Sequence, residues 1–149
     1  MIRVQSADFD VGLELKKLTE GNRKVGAVTS FVGLVRDIAE KDTISAMVLE
    51  HYPGMTEKQL ADIEHEANQR WDLISSLIIH RYGRLEPGDN IVLVACASAH
   101  RESAFDACHF LIDWLKTKAP FWKLEETSEG GRWVEAKTKD DIATARWEK

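Results

Sequence analysis

Three stretches carry residue types able to bind an anion or move a proton. His100-Arg101 stands between an apolar run over residues 91–97 and a helical pattern. Backbone N–H groups at a helix start, joined by a guanidinium and an imidazole, form a natural anion site. The same pair also fits a hydrogen-bonded linker followed by a solvated first-turn arginine. The second stretch runs from Trp114 to Lys123 and holds Lys116, Lys118 and Lys123 among Trp114, Phe121 and Trp122, with no acid. Lys116 falls in the last turn of the expected helix, where the helix C-terminus favours a charged ammonium. A second cation close by pushes the other way, lowering the pKa and freeing the amine as nucleophile or base. A reactive amine and a wet basic helix end are both open on these residues. In the third stretch, Gly33-Leu34-Val35-Arg36, a glycine lets backbone approach a ligand and the arginine beyond it can clamp a phosphate or carboxylate. Together the three describe an anion pocket with lysines fit for proton transfer or covalent chemistry, and leave the substrate unidentified.

These groups have to be positioned by the elements around them. Residues 1–5 read as a strand, and 8–18 as a helix with Asp8 as cap, Leu15 and Leu18 on one face and Gly21 past its end. Residues 25–35 are rich in β-branched side chains and read as a strand that bulges near Gly33. Residues 37–42 read as a polar loop and 43–52 as a strand ending at Pro53-Gly54. Thr56 with Gln59 has the spacing of a capping box and Met55 with Leu60 that of a hydrophobic staple, opening a helix with Leu60, Ile63, Ala67 and Trp71 on one face. Residues 76–82 and 91–97 read as strands joined by a turn at Glu86-Pro87-Gly88-Asp89, which favours an antiparallel pair, the second apolar on both faces and hence central. A long helix over 101–117 buries Ala104, Cys108, Leu111 and Leu115 and stops at Pro120. Residues 121–126 and 132–136 read as a hairpin, and 140–147 as a closing helix. The order βαββαββαββα argues for an α+β fold with a mixed, largely antiparallel sheet rather than a doubly wound parallel one.

At 149 residues the chain is expected to form a single domain, residues 1–149. Its net charge of −5 argues against a surface coated for nucleic acid, including a single strand stacked on the Trp–Lys cluster. No apolar run approaches the roughly 20 residues of a membrane span, and no secretory signal is visible, so a cytoplasmic protein is the expectation. Cys96 and Cys108 lack a CxxC partner and read as small buried apolar residues. The five histidines show neither HxxxH nor HxH spacing, so no metal site is expected.

Several longer strings carry a resemblance. LEHYPGM from Leu49, SAHR from Ser98 with Ala104-Phe105 after it, and LKTKAPFWK from Leu115 closely resemble the large, catalytic subunit of molybdopterin synthase. FxGxVR from Phe31 and GRWVEA from Gly131 fit in the same order. The resemblance implies an α/β-hammerhead fold and a sulfurtransferase of molybdenum-cofactor biosynthesis, which converts cyclic pyranopterin monophosphate to molybdopterin by inserting two dithiolene sulfurs. It implies that sulfur arrives as a thiocarboxylate on the C-terminal Gly-Gly tail of a small ubiquitin-like partner. It further implies a homodimer with one such partner at each end, a heterotetramer, and no cofactor or metal in the reaction. By motif, Lys116 and Lys123 match the catalytic lysines. Leu34, Val35, Arg36, His100, Arg101, Leu124 and Glu125 match the substrate pocket together with those lysines, and part of that pocket is expected from the dimer mate. Leu34 and Leu124 stand where many relatives place a basic residue. The alternative is a non-catalytic binding module for a ubiquitin-like partner, against which both filled lysine positions speak.

Overall fold

The computed structural model describes residues 1–37, 44–127, 130–134 and 138–148. The elements run β1 (Ile2–Gln5), α1 (Val11–Thr19), β2 (Ala27–Leu34), β3 (Ile44–His51), α2 (Met55–Arg70), β4 (Leu73–Arg81), β5 (Gly83–Leu85), β6 (Asn90–Ser98), α3 (Arg101–Thr117), β7 (Phe121–Thr127), β8 (Gly130–Val134) and α4 (Thr138–Ala145). Among the described residues the strands form two four-stranded sheets, β1-β4-β6-β2 and β5-β3-β7-β8. Among the described residues β1 and β4 form the one parallel pair, and the other ladders are antiparallel. The architecture is the mixed, antiparallel-rich α+β arrangement that the element order predicts.

β6 is the centre of the first sheet because it is apolar on both faces. Val92, Val94 and Cys96 point to one side, where Ala107, Cys108, Phe110 and Leu111 of α3 and Ile63 and Ala67 of α2 pack with Met47, Leu49 and Leu85 of the second sheet. Leu93 and Ala95 point to the other, where Phe9, Leu77 and Ile79 meet Val11, Leu15 and Leu18 of the α1 layer. Each buried Val, Leu or Ile contributes about 1.5–3 kcal/mol on being withdrawn from water, so this strand anchors both layers. Cys96 and Cys108 are buried and unbridged, as small apolar residues would be.

Four local expectations are corrected. Asp10, not Asp8, caps α1: its carboxylate accepts from the Leu13 N–H at 3.0 Å. Asp8 sits in the turn before it, accepting from the Phe9 N–H at 2.8 Å and from Asn90 at 3.1 Å, and these bonds hold its carboxyl below the usual range. The capping interaction of α2 is displaced by two residues, since Gly54 is the N-cap and the Glu57 carboxylate accepts from its N–H at 2.6 Å. Thr56 lies within the first turn instead, fully buried, its hydroxyl donating to the Tyr52 carbonyl at 2.7 Å. Met55, half exposed, is no staple. The link from β4 to β6 is longer than a turn: β5 leaves the first sheet at Gly83, whose φ of +91° suits glycine, and pairs with Met47–Leu49 of β3 in the second. The bulge expected near Gly33 is present, as a register shift between Gly33 and Leu34. Glycine suits position 33 for an internal reason: a Cβ there would meet Val92 Cγ1 at 2.8 Å and the Phe31 ring at 3.3 Å, so neighbouring side chains claim that space. Most of the loop over 37–42 and the tip of the hairpin at 128–129 lie outside the described residues.

Candidate functional site

The position of each cationic residue follows from the register of the first sheet. His80 of β4 pairs with Val92 of β6, and Val92 pairs with Gly33 of β2, so the three form one row across the sheet. Leu34, Val35 and Arg36 follow directly beyond that row. Val35 is buried and fixed, donating to the Asp89 carbonyl at 3.0 Å and accepting from the Gly88 N–H at 2.8 Å, which leaves Leu34 and Arg36 exposed on either side of it. From Val92 to Ser98 β6 runs about 20 Å at roughly 3.3 Å per residue. His100 then caps α3 in an extended conformation without a side-chain cap bond, and Arg101 is its first residue. The helix carries the chain back, and Lys116 stands 15 residues later, roughly 22 Å along its axis at 1.5 Å per residue.

At that returning end the chain turns through Ala119 and Pro120, with the Phe121 N–H donating to the Ala119 carbonyl at 2.8 Å, and enters β7. Phe121 and Lys123 are two apart in the strand and share a face. They pair with His51 and Leu49 of β3. The charges of Lys123 and Lys116 both act on the buried His80 ring. Leu124 and Glu125 continue β7, their backbones opposite Val48 and Met47. Lys118, the third lysine of the cluster, is drawn away toward Glu148 at 3.8 Å. The structure therefore brings Arg36, Lys116 and Lys123 to one end of the first sheet. It places His100 and Arg101 at the other end, where they line a depression of about 520 Å³ with Glu102, Phe105 and Asp106. A single chain does not gather all five into one cavity.

Beneath the lysines lies a group of rings that the motifs did not single out. His80 is buried and stacks on Phe121, with ring centroids 3.6 Å apart and planes 12° from parallel. His51 leans on Tyr82 at 4.7 Å and on Phe121 at 5.8 Å. Its Nδ1 lies 3.0 Å from the Thr56 hydroxyl, and that hydroxyl already donates to Tyr52, so Nδ1 is the donor. His80 Nδ1 lies 2.8 Å from the Arg81 carbonyl, which can only accept, so the proton sits on Nδ1 and Nε2 is left as an acceptor. Burial pushes the His80 pKa down to about 3. The bond to Arg81 opposes this, and the charges of Lys123, Lys116 and His51 reinforce it. The ring is neutral at physiological pH. Its sequence signal was a histidine inside an apolar strand, where a branched aliphatic would pack at lower cost.

A further cleft of about 510 Å³ lies between α2, α3 and the C-terminal segment, lined by Arg70, Phe110, Trp114 and Trp147 among others. Its charges are satisfied within the chain: Arg70 pairs with Glu66 at 2.6 Å and donates to the Trp147 carbonyl at 2.8 Å, and Lys118 faces Glu148. The C-terminal segment forms one wall of that cleft. No helix among the described residues is long and apolar enough to cross a membrane.

Comparison with known proteins bears out the family resemblance. A chain from Pseudomonas aeruginosa called molybdopterin synthase catalytic subunit is 58% identical over 147 residues, covering 99% of this chain and 98% of that one. One of the same name from Ralstonia nicotianae is 59% identical over 146 residues, covering 98% and 83% respectively. The solved molybdopterin biosynthesis MoaE protein from Burkholderia ambifaria superposes with a TM-score of 0.84 at 52% identity, covering 99% of this chain and 97% of that one. The family model described as MoaE protein matches residues 4–118, from the first strand to the end of α3, and the chain belongs to that family.

Proposed function

We propose that this chain is the catalytic subunit of a molybdopterin synthase, a cytoplasmic sulfurtransferase acting as a single domain on cyclic pyranopterin monophosphate. Sulfur comes from the thiocarboxylated Gly-Gly tail of a small ubiquitin-like partner, within a heterotetramer built on a homodimer of this chain. The observation that carries the reading is the placement of Lys116 in the last turn of α3 and Lys123 early in β7, on either side of one chain turn, with both charges bearing on the buried His80 ring. Substrate and tail are both anions. At 4 Å two such charges repel by roughly 4 kcal/mol at an effective dielectric of 20. Two ammoniums and the Arg36 guanidinium at the same end offset that repulsion and draw both partners inward. Lys116 stands beside the terminal carbonyl of the tail, stabilising charge there and exchanging its proton. Lys123 assists opening of the cyclic phosphate and proton movement at the pterin. Leu34, Val35, Leu124 and Glu125 line the substrate beside them.

His100 and Arg101, some 20 Å away in the same chain, enter the site from the dimer mate, where they hold the substrate's phosphate. This division of labour is tested by mixing. Lys116→Ala and Arg101→Ala homodimers should each lack dithiolene formation while still assembling with the partner. Random exchange of the two chains makes half the dimers hybrid, each with one intact site of two, so activity should return to about a quarter of the wild type. Mixtures that stay inactive while exchange is complete would place both groups in one chain's site. Wild-type chain that yields no dithiolene from thiocarboxylated partner and pterin would leave only a binding module.

A further inference from the structure

The lysine pair is carried by two separate hydrogen-bonded layers. Lys116 ends a helix packed on the first sheet, and Lys123 belongs to β7 of the second. Their separation is therefore set by whatever joins the layers at this end, and the face-to-face contact of His80 with Phe121 is such a joint. His80 sits in the first sheet, in register with Val92 and Gly33, and Phe121 opens β7 on the same face as Lys123. Three properties suit the imidazole to that place. It is flat, so it can stack on Phe121. Its Nδ1–H is tied to the Arg81 carbonyl, so the ring plane is fixed. It is neutral, so it adds no further charge beside the two ammoniums and His51, the charged or titratable groups that bear on it from α3, β7 and β3.

We propose that His80 is a positioning residue for sulfur transfer: its stacked ring pins the start of β7 to the first sheet and so holds Lys123 at a fixed offset from Lys116. The proposal rests on the catalytic reading of the two lysines, and it touches no substrate atom. A displacement of about 1 Å between reacting groups costs up to roughly a hundredfold in rate.

The test compares His80→Leu, which fills the space without a ring plane, with His80→Phe, which keeps the plane and removes both nitrogens. Both are prepared as the full complex with thiocarboxylated partner. His80→Leu should lower kcat about tenfold or more, with KM and partner affinity within about twofold, and His80→Phe should recover most of the loss. Reductive methylation with formaldehyde and borohydride, read by mass spectrometry, follows the relative reactivity of Lys123 and Lys116 without any substrate. That ratio should shift in His80→Leu and return in His80→Phe. Wild-type turnover in His80→Leu, or a folded His80→Phe no better than His80→Leu, overturns the proposal. If His80→Leu does not fold, His80→Phe decides alone, near-wild-type kcat and labelling ratio supporting the proposal and loss of either refuting it. A wild-type complex without product sinks the catalytic reading instead, and the labelling ratio still judges the positioning.

Discussion

Acid should destabilise this protein through His80. The folded chain holds the ring neutral down to about pH 3, because burial and the charges of Lys123, Lys116 and His51 oppose a further proton. The unfolded chain takes that proton at the ordinary value of 6.5. Between the two values unfolding absorbs a proton that the native state refuses, so lowering the pH favours the unfolded chain. The stabilising difference is fully present above 6.5 and is lost progressively toward pH 3. Each pH unit inside that interval is worth about 1.4 kcal/mol. Passing from pH 7 to pH 5 should therefore cost about 2 kcal/mol, and the whole interval about 5 kcal/mol. Other titrating groups contribute as well, and comparison with His80→Phe, which packs a ring that cannot be protonated, cancels them. Urea unfolding followed by tryptophan fluorescence, at one protein concentration and at pH 7, 6 and 5, gives the difference directly. With a slope near 2 kcal/mol per molar urea, the wild-type midpoint should fall by about 1 M relative to the variant between pH 7 and 5. A wild-type-minus-variant difference that stays flat within about 0.5 kcal/mol over this range would show that the native site accepts the proton, and would refute the buried neutral ring.

Other perturbations separate further parts of the structure. Lys118→Ala should leave turnover within about twofold and stability within about 1 kcal/mol, since it breaks only an exposed pair with Glu148, whereas Lys116→Ala should abolish dithiolene formation in an assembled complex; steady-state kinetics and size-exclusion chromatography distinguish the two. Gly26→Ala puts a methyl 2.2 Å from the Ala99 carbonyl oxygen, a backbone atom just before His100, and should cost about 1–3 kcal/mol in denaturant titration. Gly33→Ala meets only the Val92 and Phe31 side chains and should cost less in the same measurement. Trp147→Phe removes the indole N–H that donates to buried Asp113 at 2.7 Å, and thermal unfolding should register a loss of about 1–2 kcal/mol.

Much of this fold is legible in the sequence, and the reasons are local. The run over 91–97 is apolar at every position, which only a strand covered on both faces tolerates, and β6 is that strand. α3 spans the expected residues because Ala104, Cys108 and Leu111 recur at helical spacing and Pro120 ends the pattern. The caps lie two residues from their expected places: α2 starts at Gly54, which has no side chain to signal a cap, and two carboxylates compete before α1. Asp8 and Asp10 both precede α1, and the choice depends on Asn90, 82 residues from Asp8. β5 escaped notice because three residues show no period, and its partner is β3, far back in the chain. The nearness of Lys116 and Lys123 is legible from charge clustering and from motif, and the layer of rings on which their charges bear is not. His51, the His80–Tyr82 pair and Phe121 come from three stretches whose meeting is decided by how one sheet lies on the other. Conversely, the motifs group His100-Arg101 with Lys116, and α3 holds them a helix length apart.

The passage of the chain through Gly83 has a consequence for how the protein fails. Strands on either side of that glycine answer to different ladders, so heat can part the two layers along a seam of side-chain contacts while each ladder stays closed. The two amines would then drift apart on intact scaffolding, and catalysis would fade at temperatures where circular dichroism still reports a full complement of helix and strand.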